Sequence, residues 1–349
     1  MGCGAAGGGT AADASAEATS IGSTSAAGPG IHWQPAATFA ALRIRAALLA
    51  RTREFFAARH VLEVETPILS SGAVSDPQIE SLATRVAGMP DSLYMSTSPE
   101  YPMKRLLAAG SGDIYQICKA FRDGERGRWH NPEFTLIEWY RVGFDDSKLM
   151  SEVEALLGQL LAPYRPLPPA ERLSYADAMR RHAGIDVHAA GECEVVESAQ
   201  RHGIDFVGDL DRDGRLDLLM SLIVGPRLGF ERPCFIGDYP VSQAALARLK
   251  PGPPPVAARF ELYVDGIELA NGFHELADVA QQRARFAEDL ALRRRRGLPV
   301  PPLDEHLLAA LAAGLPDCAG VALGFDRLVA ISLAAPRLAD ALAFNIDNA

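Results

Sequence analysis

Two pairs of β-rich segments constrain the fold of this chain more than any other feature of its sequence. The first pair, IYQICKAFR at 114–122 and EFTLIEWYR at 133–141, is rich in β-branched and aromatic residues and encloses a charged loop. The second pair, RFELYVDGIELANGFHEL at 259–276, has Asp265-Gly266 at its centre, a strong signal for a tight hairpin turn. Any fold of the chain must therefore accommodate two β-hairpins, whose strands run antiparallel.

Helices and shorter strands are predicted around the two hairpins. Phe39, Leu42, Ala46 and Leu49 recur at helical spacing, in a helix that runs to about His60. Strands are predicted over 61–69, around a turn between 82 and 94, over 234–240 and over 319–324. Helices are predicted over 98–110, over 151–162, through most of 174–225, from Val279 to the RRRRG at 293–297, and from Asp326 onward.

Charge and cysteine content exclude several classes of function. The chain of 349 residues carries a net charge of −10, which disfavours broad binding to nucleic acid or to anionic membranes. Its five cysteines form no CxxC pair, so neither a disulfide framework nor a zinc knuckle is expected, and a reducing cytoplasm fits. The sequence contains no apolar run long enough for a membrane span and no Walker-type P-loop.

The first part of the chain differs in composition from the rest. Residues 1–32 consist largely of Ala, Gly, Ser and Thr, which predicts a disordered tail. No basic segment followed by an apolar one is present there, so the tail does not resemble a secretory signal. Residues 33–349 are expected to form the folded part of the chain.

The loop of the first hairpin, FRDGERGRWHNPEF at 121–134, concentrates cations in an acidic protein. Because strand side chains alternate between two faces, one face of the hairpin presents a mixed set of side chains. They are Phe134, Leu136, Glu138 and Tyr140 on the second strand, with Gln116, Cys118, Ala120 and Arg122 on the first. Arginine suits bidentate contact with phosphate, and an aromatic plane suits a nucleobase. The hairpin indicates a nucleotide site, with a solvated, charge-rich loop as the alternative when it is considered alone.

Three segments resemble the three motifs of class II aminoacyl-tRNA synthetases, in the order of that family. RTREFFAARHVLEVETP at 51–67 resembles motif 1, FRDGERGRWHNPEF resembles motif 2, and GVALGFDR at 320–327 resembles motif 3. TSPEYPMKRLL at 97–107, HNPEFTLIEWY at 130–140 and ELANGFHEL at 268–276 resemble sequences of the lysyl subgroup. The resemblance implies an α+β fold, a class II aminoacyl-tRNA synthetase-like catalytic domain whose mainly antiparallel sheet is flanked by helices. It also implies a homodimer formed through motif 1.

A narrower resemblance depends on what precedes motif 1. Lysyl-tRNA synthetases carry an N-terminal anticodon-binding domain, whereas only the predicted tail precedes residue 33, so no anticodon-binding domain is expected here. A single catalytic domain with SPEY, RWHNPEF and GVALG is similar to the elongation factor P–(R)-β-lysine ligase family. This resemblance implies that ATP and Mg²⁺ are used to convert (R)-β-lysine into an acyl-adenylate, with release of pyrophosphate. The acyl group would then pass to a lysine side chain of elongation factor P.

The same resemblance implies roles for individual residues. ATP would be bound by Arg122, Asp123, Gly124, Arg128, His130, Asn131 at the adenine, Phe134, Glu268, Leu269, Gly324 and Arg327. The amino acid would be bound by Ser98, Pro99, Glu100, Glu138, Tyr140, Glu275 and Ala322. Mg²⁺ would be held by Glu268 and Glu275.

Five residues of motifs 2 and 3 have more specific implied roles. Arg122 and Arg327 would be the catalytic residues, and Arg122 would contact the α-phosphate and the substrate carboxylate. Arg128 and His130 would face the β- and γ-phosphates. Phe134 would stack on the base, and Arg327 would cover its other face and reach the terminal phosphate.

Motif 2 departs from the family pattern at one position. The family has Arg-x-Glu where this chain has Arg122-Asp123-Gly124, followed by Glu125, so the glutamate that helps to place ATP has either moved by one position or been lost. Three functions remain compatible with the sequence: a protein-lysine ligase, a truncated lysyl-tRNA synthetase, and a catalytically silent paralogue that binds a partner. The retained phosphate-binding and acidic residues favour an active enzyme.

Two further features have alternative interpretations. Cys118, on the inner face of the hairpin, could suggest thioester transfer, but a packed core cysteine is the favoured interpretation. Arg293 to Arg296 could contact an acceptor protein, but a basic helix C-terminus is favoured because cations there interact well with the helix dipole.

Overall fold

The structure is a computed structural model that describes residues 33–206, 208 and 210–349. The chain divides into one unit of residues 1–34 and a second of residues 35–349, and all the helices and strands given below belong to the second. The predicted disordered tail lies outside the described residues. Within those residues, no helix is both long and apolar enough to cross a membrane.

Helices and strands are interspersed along the described chain. The α-helices are α1 (Phe39–Ala57), α2 (Glu100–Ala108), α3 (Asp146–Leu161), α4 (Tyr175–His182), α5 (Glu192–Arg201), α6 (Arg212–Leu219), α7 (Val279–Arg295), α8 (Glu305–Gly314) and α9 (Phe325–Ser332). The strands are β1 (Leu62–Glu63), β2 (Leu69–Ser70), β3 (Ala83–Thr84), β4 (Leu93–Met95), β5 (Ile114–Phe121), β6 (Glu133–Val142), β7 (Glu171–Ser174), β8 (Cys234–Pro240), β9 (Leu249–Lys250), β10 (Val256–Val264), β11 (Ile267–His274) and β12 (Cys318–Gly324). A π-helical turn lies at Met220–Val224, and 3-10 turns lie at Gly225–Arg227, Val241–Gln243 and Leu338–Ala341.

One large sheet of nine strands organises the fold. Its order is β1-β5-β6-β12-β11-β10-β8-β7, with β9 beside β10, and a small sheet β2-β4-β3 is separate from it. Neighbouring strands are antiparallel except at the two edges, where β1 pairs with β5 and β7 pairs with β8 in parallel. Both predicted hairpins form, as β5–β6 and β10–β11, and Asp265 and Gly266 have the positive φ that a two-residue hairpin turn requires. The mainly antiparallel sheet flanked by helices is confirmed.

One face of this sheet carries the main hydrophobic core. Trp139, Val321 and Phe260 belong to a single cluster of buried residues that includes side chains from α1, α3 and α9. Burial of each large apolar side chain stabilises the fold by roughly 1.5–3 kcal/mol. Because strand side chains alternate, burying one set on this face leaves the neighbouring set on the opposite face. The opposite face of the central strands is therefore available for a functional site.

A buried polar bridge joins α1 to the start of β6 and to α9. Arg45 of α1 donates to Asp326 Oδ1 at 2.5 Å and to Thr135 Oγ1 at 2.9 Å. The backbone N–H of Thr135 donates to Asp326 Oδ2 at 2.8 Å, so both carboxylate oxygens are used. Charged partners make such hydrogen bonds stronger than neutral ones. The bridge positions the segments that carry motifs 2 and 3 relative to each other.

Local structure differs from the prediction in three places. The strand predicted over 61–69 is reduced to β1 and β2, separated by a segment that contains Pro67, which has no N–H for a strand ladder. Helix α3 begins earlier than predicted because the Asp145 side chain accepts from the Lys148 N–H and caps the helix. Helix α8, capped in the same way by Asp304, lies where no helix is predicted from the sequence.

The arginines at the end of α7 do not form one surface patch. Arg293 is 1% exposed, donates to the backbone oxygens of Asp76 at 2.8 Å and Ile79 at 3.1 Å, and forms an ion pair with Glu80. It anchors the segment before β3 and cannot contact an acceptor protein. Arg294 stays exposed in the last turn of the helix, where the helix-dipole interpretation applies.

Candidate functional site

A row of side chains crosses the face of the sheet opposite the main core. The pairing register brings together one residue from each of five adjacent strands: Gln116, Glu138, Ala322, Asn271 and Glu261. Paired residues point to the same face, so four polar side chains and one methyl group line it. Buried polar groups are costly unless they are hydrogen-bonded or bind a ligand. This row therefore forms the floor of the candidate site.

Acidic side chains predicted to bind the amino acid gather at one end of the row. Glu138 accepts from the Tyr140 hydroxyl at 2.8 Å and from the Ser98 hydroxyl at 2.7 Å. Ser98 Oγ in turn accepts from the backbone N–H of Glu100 at 3.0 Å, at the start of α2. The Ser-Pro-Glu turn thus places the beginning of α2 against β6, and the predicted residues of this segment come together.

A lysine that was not predicted to be functional joins the acidic residues. Lys104 Nζ lies 2.7 Å from Glu100 Oε1 and 2.6 Å from Glu275 Oε2, and the residue is only 1% exposed. Burial lowers the pKa of Lys104, but the two carboxylates outweigh burial and hold the pKa above its usual range, so the side chain is an ammonium. The only sequence signal was the i, i+4 spacing of Glu100 and Lys104, which is typical of an exposed pair on a helix.

Two buried acceptors in this cluster have no hydrogen-bond partner among the described residues. They are Glu275 Oε1 and Asn271 Oδ1. Gly320 allows Glu275 and Tyr140 to pack closely against its backbone, because an added Cβ would lie 2.7 Å from Glu275 Oε1 and 2.2 Å from the Tyr140 ring. Since an unpaired buried acceptor destabilises the protein, both atoms are suited to the N–H groups of a bound cation.

Burial makes the carboxylates of this cluster easier to protonate than exposed ones. It raises the pKa of Glu138 to about 7, and the nearby Glu100 carboxylate adds to the effect. It also raises the pKa of Glu275 to about 8, against the opposing effect of the Lys104 ammonium. Burial likewise raises the pKa of the Cys118 thiol to about 12, so this thiol is protonated at neutral pH and poorly suited to thioester transfer.

Arg122 lies directly after β5, beside an aromatic ring. Its Cζ is 5.1 Å from the Phe134 ring centroid, its Nε donates to Thr97 O at 3.4 Å, and its Nη1 is 3.3 Å from Glu125 Oε1. Gly124 has a φ of +75°, a backbone conformation that glycine adopts without strain. In this turn the carboxylate at position 125 contacts Arg122, which favours a motif 2 glutamate moved by one position over one that is lost.

Arg327 connects motif 3 to motif 2. Its Nη1 donates to Glu268 O at 2.7 Å, its Nε donates to Trp129 O at 3.3 Å, and its Nη2 lies 2.9 Å from His130 Nε2. Desolvation lowers the pKa of His130 and the Arg327 guanidinium adds to this, so the imidazole is neutral at pH 7 and can accept from the arginine. The Arg327 guanidinium thus lies beside the motif 2 loop, and its N–H groups suit phosphate oxygens.

Glu268 is the predicted metal ligand that fits the structure. Its side chain is 42% exposed, and its Oε2 lies 3.9 Å from Arg327 Nη1. Desolvation and Glu261 raise the pKa of Glu268, whereas Arg327 and Arg122 lower it, so both guanidinium groups lie near the same carboxylate. An accessible carboxylate beside two arginines, whose guanidinium groups suit phosphate, is a suitable oxygen donor for Mg²⁺.

Glu275, the second predicted Mg²⁺ ligand, is buried, unlike Glu268. The residue is 1% exposed, and its Oε2 is already paired with the Lys104 ammonium. A divalent cation would have to displace that ammonium from a buried position. Among the described residues, no group of three or more His, Cys, Asp or Glu side chains could hold a metal ion. The pairing with Lys104 favours the predicted place of Glu275 at the amino acid, and its predicted role as a Mg²⁺ ligand stays a prediction.

The side chains of Arg128 and Asn131 are not brought into this group. Arg128 Nε donates to Pro336 O at 2.8 Å, so this side chain contacts the C-terminal segment. Asn131 Nδ2 donates to Glu133 O at 2.6 Å, and its Oδ1 accepts from the Ile346 N–H at 3.0 Å. Both side chains therefore bond to other parts of the chain, and their expected contacts with ATP stay predictions.

The remaining predicted residues lie at helix starts, in the core or in a turn next to the site. Pro99 and Gly324 directly precede α2 and α9. The Leu269 side chain is buried in the main core, so only its backbone can face the site. The Asp123 carboxylate accepts from the Gly124 N–H at 2.8 Å and stabilises the turn after Arg122.

Comparison with known proteins agrees with this geometry. Residues 31–348 match the family described as tRNA synthetases class II (D, K and N). The chain is 50% identical over 323 residues to the elongation factor P–(R)-β-lysine ligase of Salmonella arizonae, an alignment that covers 91% of this chain and 98% of the relative. Proteins of the same name from Salmonella dublin and Salmonella paratyphi B show the same identity and coverage. The chain therefore belongs to the class II tRNA synthetase family and, within it, to the family of the elongation factor P–(R)-β-lysine ligases.

Proposed function

We propose that this chain uses ATP to activate (R)-β-lysine as an acyl-adenylate and transfers the acyl group to a lysine side chain of elongation factor P. One observation carries the proposal: the carboxylates of Glu100 and Glu275 contact the buried Lys104 ammonium close to Glu138, while Arg122 and Arg327 lie near Glu268. The acidic end suits the two ammonium groups of a lysine isomer, and the basic end suits phosphate. The names of the relatives, elongation factor P–(R)-β-lysine ligases, support the same amino acid and acceptor.

The first step requires no nucleophile from the protein. A carboxylate oxygen of the substrate attacks the α-phosphorus of ATP, the bond to the bridging oxygen of the β-phosphate breaks, and pyrophosphate leaves. Arg122 would stabilise the negative charge that develops on the α-phosphate, and Arg327 with His130 would bind the outgoing phosphates. The acidic end would hold both ammonium groups so that the substrate carboxylate points toward the α-phosphate.

The second step forms an amide. The neutral amine of the acceptor lysine attacks the acyl carbon, AMP leaves, and the amine loses one proton. Glu268 is the residue that would hold Mg²⁺, which supplies charge neutralisation for the phosphates when it is bound.

The value of kcat/KM for β-lysine is expected to rise as the pH increases from about 6 to about 8, because ammonium groups bind carboxylates and not carboxylic acids. The pKa values of Glu138 and Glu275, about 7 and about 8, are raised in the free protein, so both groups are largely protonated below this interval and lose protons across it. Lys104 and Tyr140, which face the same cluster, have pKa values held above this interval and do not change charge within it. ATP–pyrophosphate exchange measured across this range checks the prediction, and a flat profile for β-lysine would contradict it.

The acceptor is tested by mass spectrometry after incubation with ATP, Mg²⁺ and each lysine isomer. Elongation factor P is expected to gain one lysyl-sized mass on a lysine, and tRNA is expected to be a poor acceptor. Efficient charging of tRNA with an unmodified elongation factor P would instead favour a lysyl-tRNA synthetase. A protein that catalyses no ATP–pyrophosphate exchange with any isomer would be a silent paralogue.

The same proposal includes a homodimer that acts in the cytoplasm. Strand β1 carries part of motif 1 and forms one edge of the large sheet. Leu62 on this strand is exposed, as are Ile68 and Leu69 just beyond it. Exposed apolar side chains beside an edge strand are a suitable surface for a second copy of the chain.

Ala322→Gly is expected to improve the use of L-α-lysine by about tenfold or more relative to (R)-β-lysine. Ala322 pairs with Glu138 on one side and Asn271 on the other, so its methyl group projects from the floor of the site. The two isomers differ in where the second amino group stands relative to the carboxylate, and the methyl group would crowd the α-position. Exchange kinetics with both isomers on both proteins measure the effect. An unchanged preference ratio would show that Ala322 does not select the isomer.

A further inference from the structure

Lys104 is a buried charge that the proposed reaction does not use. It extends from α2 into the acidic end of the site, the cluster of Glu100, Glu138 and Glu275. Its Nζ lies 2.7 Å from Glu100 Oε1 and 2.6 Å from Glu275 Oε2. Removing an ammonium from water is costly, and a buried ion pair often stabilises a protein no more than apolar residues of the same volume would. A buried lysine inside a candidate substrate site therefore calls for a reason beyond stability.

The net charge of the acidic end, with Lys104 included, matches the two ammonium groups of a lysine isomer. Glu100, Glu138 and Glu275 supply three negative charges when all are ionised, and Lys104 supplies one positive charge, so two negative charges remain. A lysine isomer carries two ammonium groups. With Lys104 in place, the acidic end therefore balances the charge of a diamino acid, whereas without it one carboxylate would lack a counter-ion.

The positions of the carboxylate oxygens support the same conclusion. The Lys104 ammonium forms an ion pair with Glu275 Oε2, while Glu275 Oε1 is buried and has no hydrogen-bond partner among the described residues. Lys104 also holds Glu100, whose backbone N–H donates to the Ser98 hydroxyl that contacts Glu138. One ammonium thus contacts two carboxylates and leaves Glu275 Oε1 as a free acceptor.

We infer that Lys104 is a specificity-determining positioning residue, whose fixed ammonium balances one of three carboxylates so that the acidic end binds a diamino acid. This inference rests on the proposed function. In the absence of Lys104, three carboxylates close together cannot all stay ionised, so they take up protons and lose their fixed orientation. A protonated carboxyl group does not neutralise a substrate ammonium.

The test compares Lys104→Met and Lys104→Gln with the double variant Lys104→Met/Glu100→Gln. The two single variants are expected to raise the KM for β-lysine by about tenfold or more in ATP–pyrophosphate exchange, with the KM for ATP changed by less than about threefold. The double variant removes one negative charge together with the positive one, so two negative charges remain. It is expected to recover at least about threefold of the loss in β-lysine KM, because charge balance is restored although a further group is removed. Lys148→Met, which removes an exposed lysine on α3, is the matched control and is expected to behave as the parent protein.

A purely structural role for Lys104 predicts a different pattern. If Lys104 only fastens α2 to the sheet, the double variant should be no better than Lys104→Met, and the KM values for both substrates should change together. Either result, or a single variant with an unchanged KM for β-lysine, overturns the inference. If the single variants do not fold, recovery of a folded and active double variant supports charge balance, and an unfolded double variant overturns it. Failure of the proposed function is distinguishable, because the parent protein itself would then show no exchange that depends on β-lysine.

Discussion

Glu275→Gln is expected to lower kcat/KM for β-lysine in ATP–pyrophosphate exchange by at least about tenfold while the protein stays folded. Glu275 is buried, its Oε2 is paired with Lys104, and its Oε1 is an open acceptor. The glutamine side chain keeps the shape but removes the negative charge, so a substrate ammonium loses its counter-ion. Loss of one partner of a buried charge pair costs roughly 2–5 kcal/mol, and about 1.4 kcal/mol corresponds to a factor of ten.

A matched control separates this effect from a general loss of charge. Glu305→Gln removes an exposed carboxylate that pairs with Arg283 at 2.6 Å between α7 and α8. Exposed ion pairs contribute little, so this variant is expected to remain within about twofold of the parent activity. Thermal unfolding of both variants verifies folding. Near-normal exchange by a folded Glu275→Gln variant would rule out its assignment to the substrate amine.

Arg122→Gln is expected to reduce the rate of adenylate formation by about 100-fold or more. Arg122 lies at the end of β5 beside the Phe134 ring. Its guanidinium, like that of Arg327, lowers the pKa of the Glu268 carboxyl group. A neutral amide cannot stabilise the charge that develops on the α-phosphate, nor can it bind a phosphate and a carboxylate together. Single-turnover measurement of adenylate formation at saturating ATP and β-lysine isolates this step from acyl transfer.

The control for this variant comes from the same loop. Arg126 is exposed and forms an ion pair with Asp347 in the C-terminal segment. Arg126→Gln is expected to retain activity within about threefold of the parent protein, since exposed ion pairs are weak. Equal losses in both variants would mean that the total charge of the loop matters and that Arg122 has no special position.

Local signals explain why so much of the fold could be predicted from the sequence. Each β-hairpin is specified by neighbouring residues: alternating side chains along β5 and β6, and an Asp-Gly turn between β10 and β11. Motif order was equally visible, because each motif occupies one short segment. The expectation that Glu138 shares a face with Gln116 is confirmed by their pairing between β6 and β5, and Ala322 on β12 joins the same face.

The side of the sheet on which Glu268 lies could not be obtained from alternation alone. Simple alternation along β11 places Glu268 on the face of Ala270, which belongs to the main core. The pairing shifts between Leu262 and Tyr263, so that Glu268 lies opposite Tyr263 and on the face of Glu261. A bulge of this kind depends on the register of two strands, which is a property of the folded sheet.

The sequence by itself determined the two hairpins, the order of the three motifs and the chemical types of the site residues, because these depend on residues close together in the chain. Only the tertiary structure decided which charges meet. It paired Glu275 with Lys104, although 171 positions separate them. It also brought Arg128 into contact with Pro336. The physical reason is that ion pairs and burial depend on distance in space, and long-range packing sets that distance.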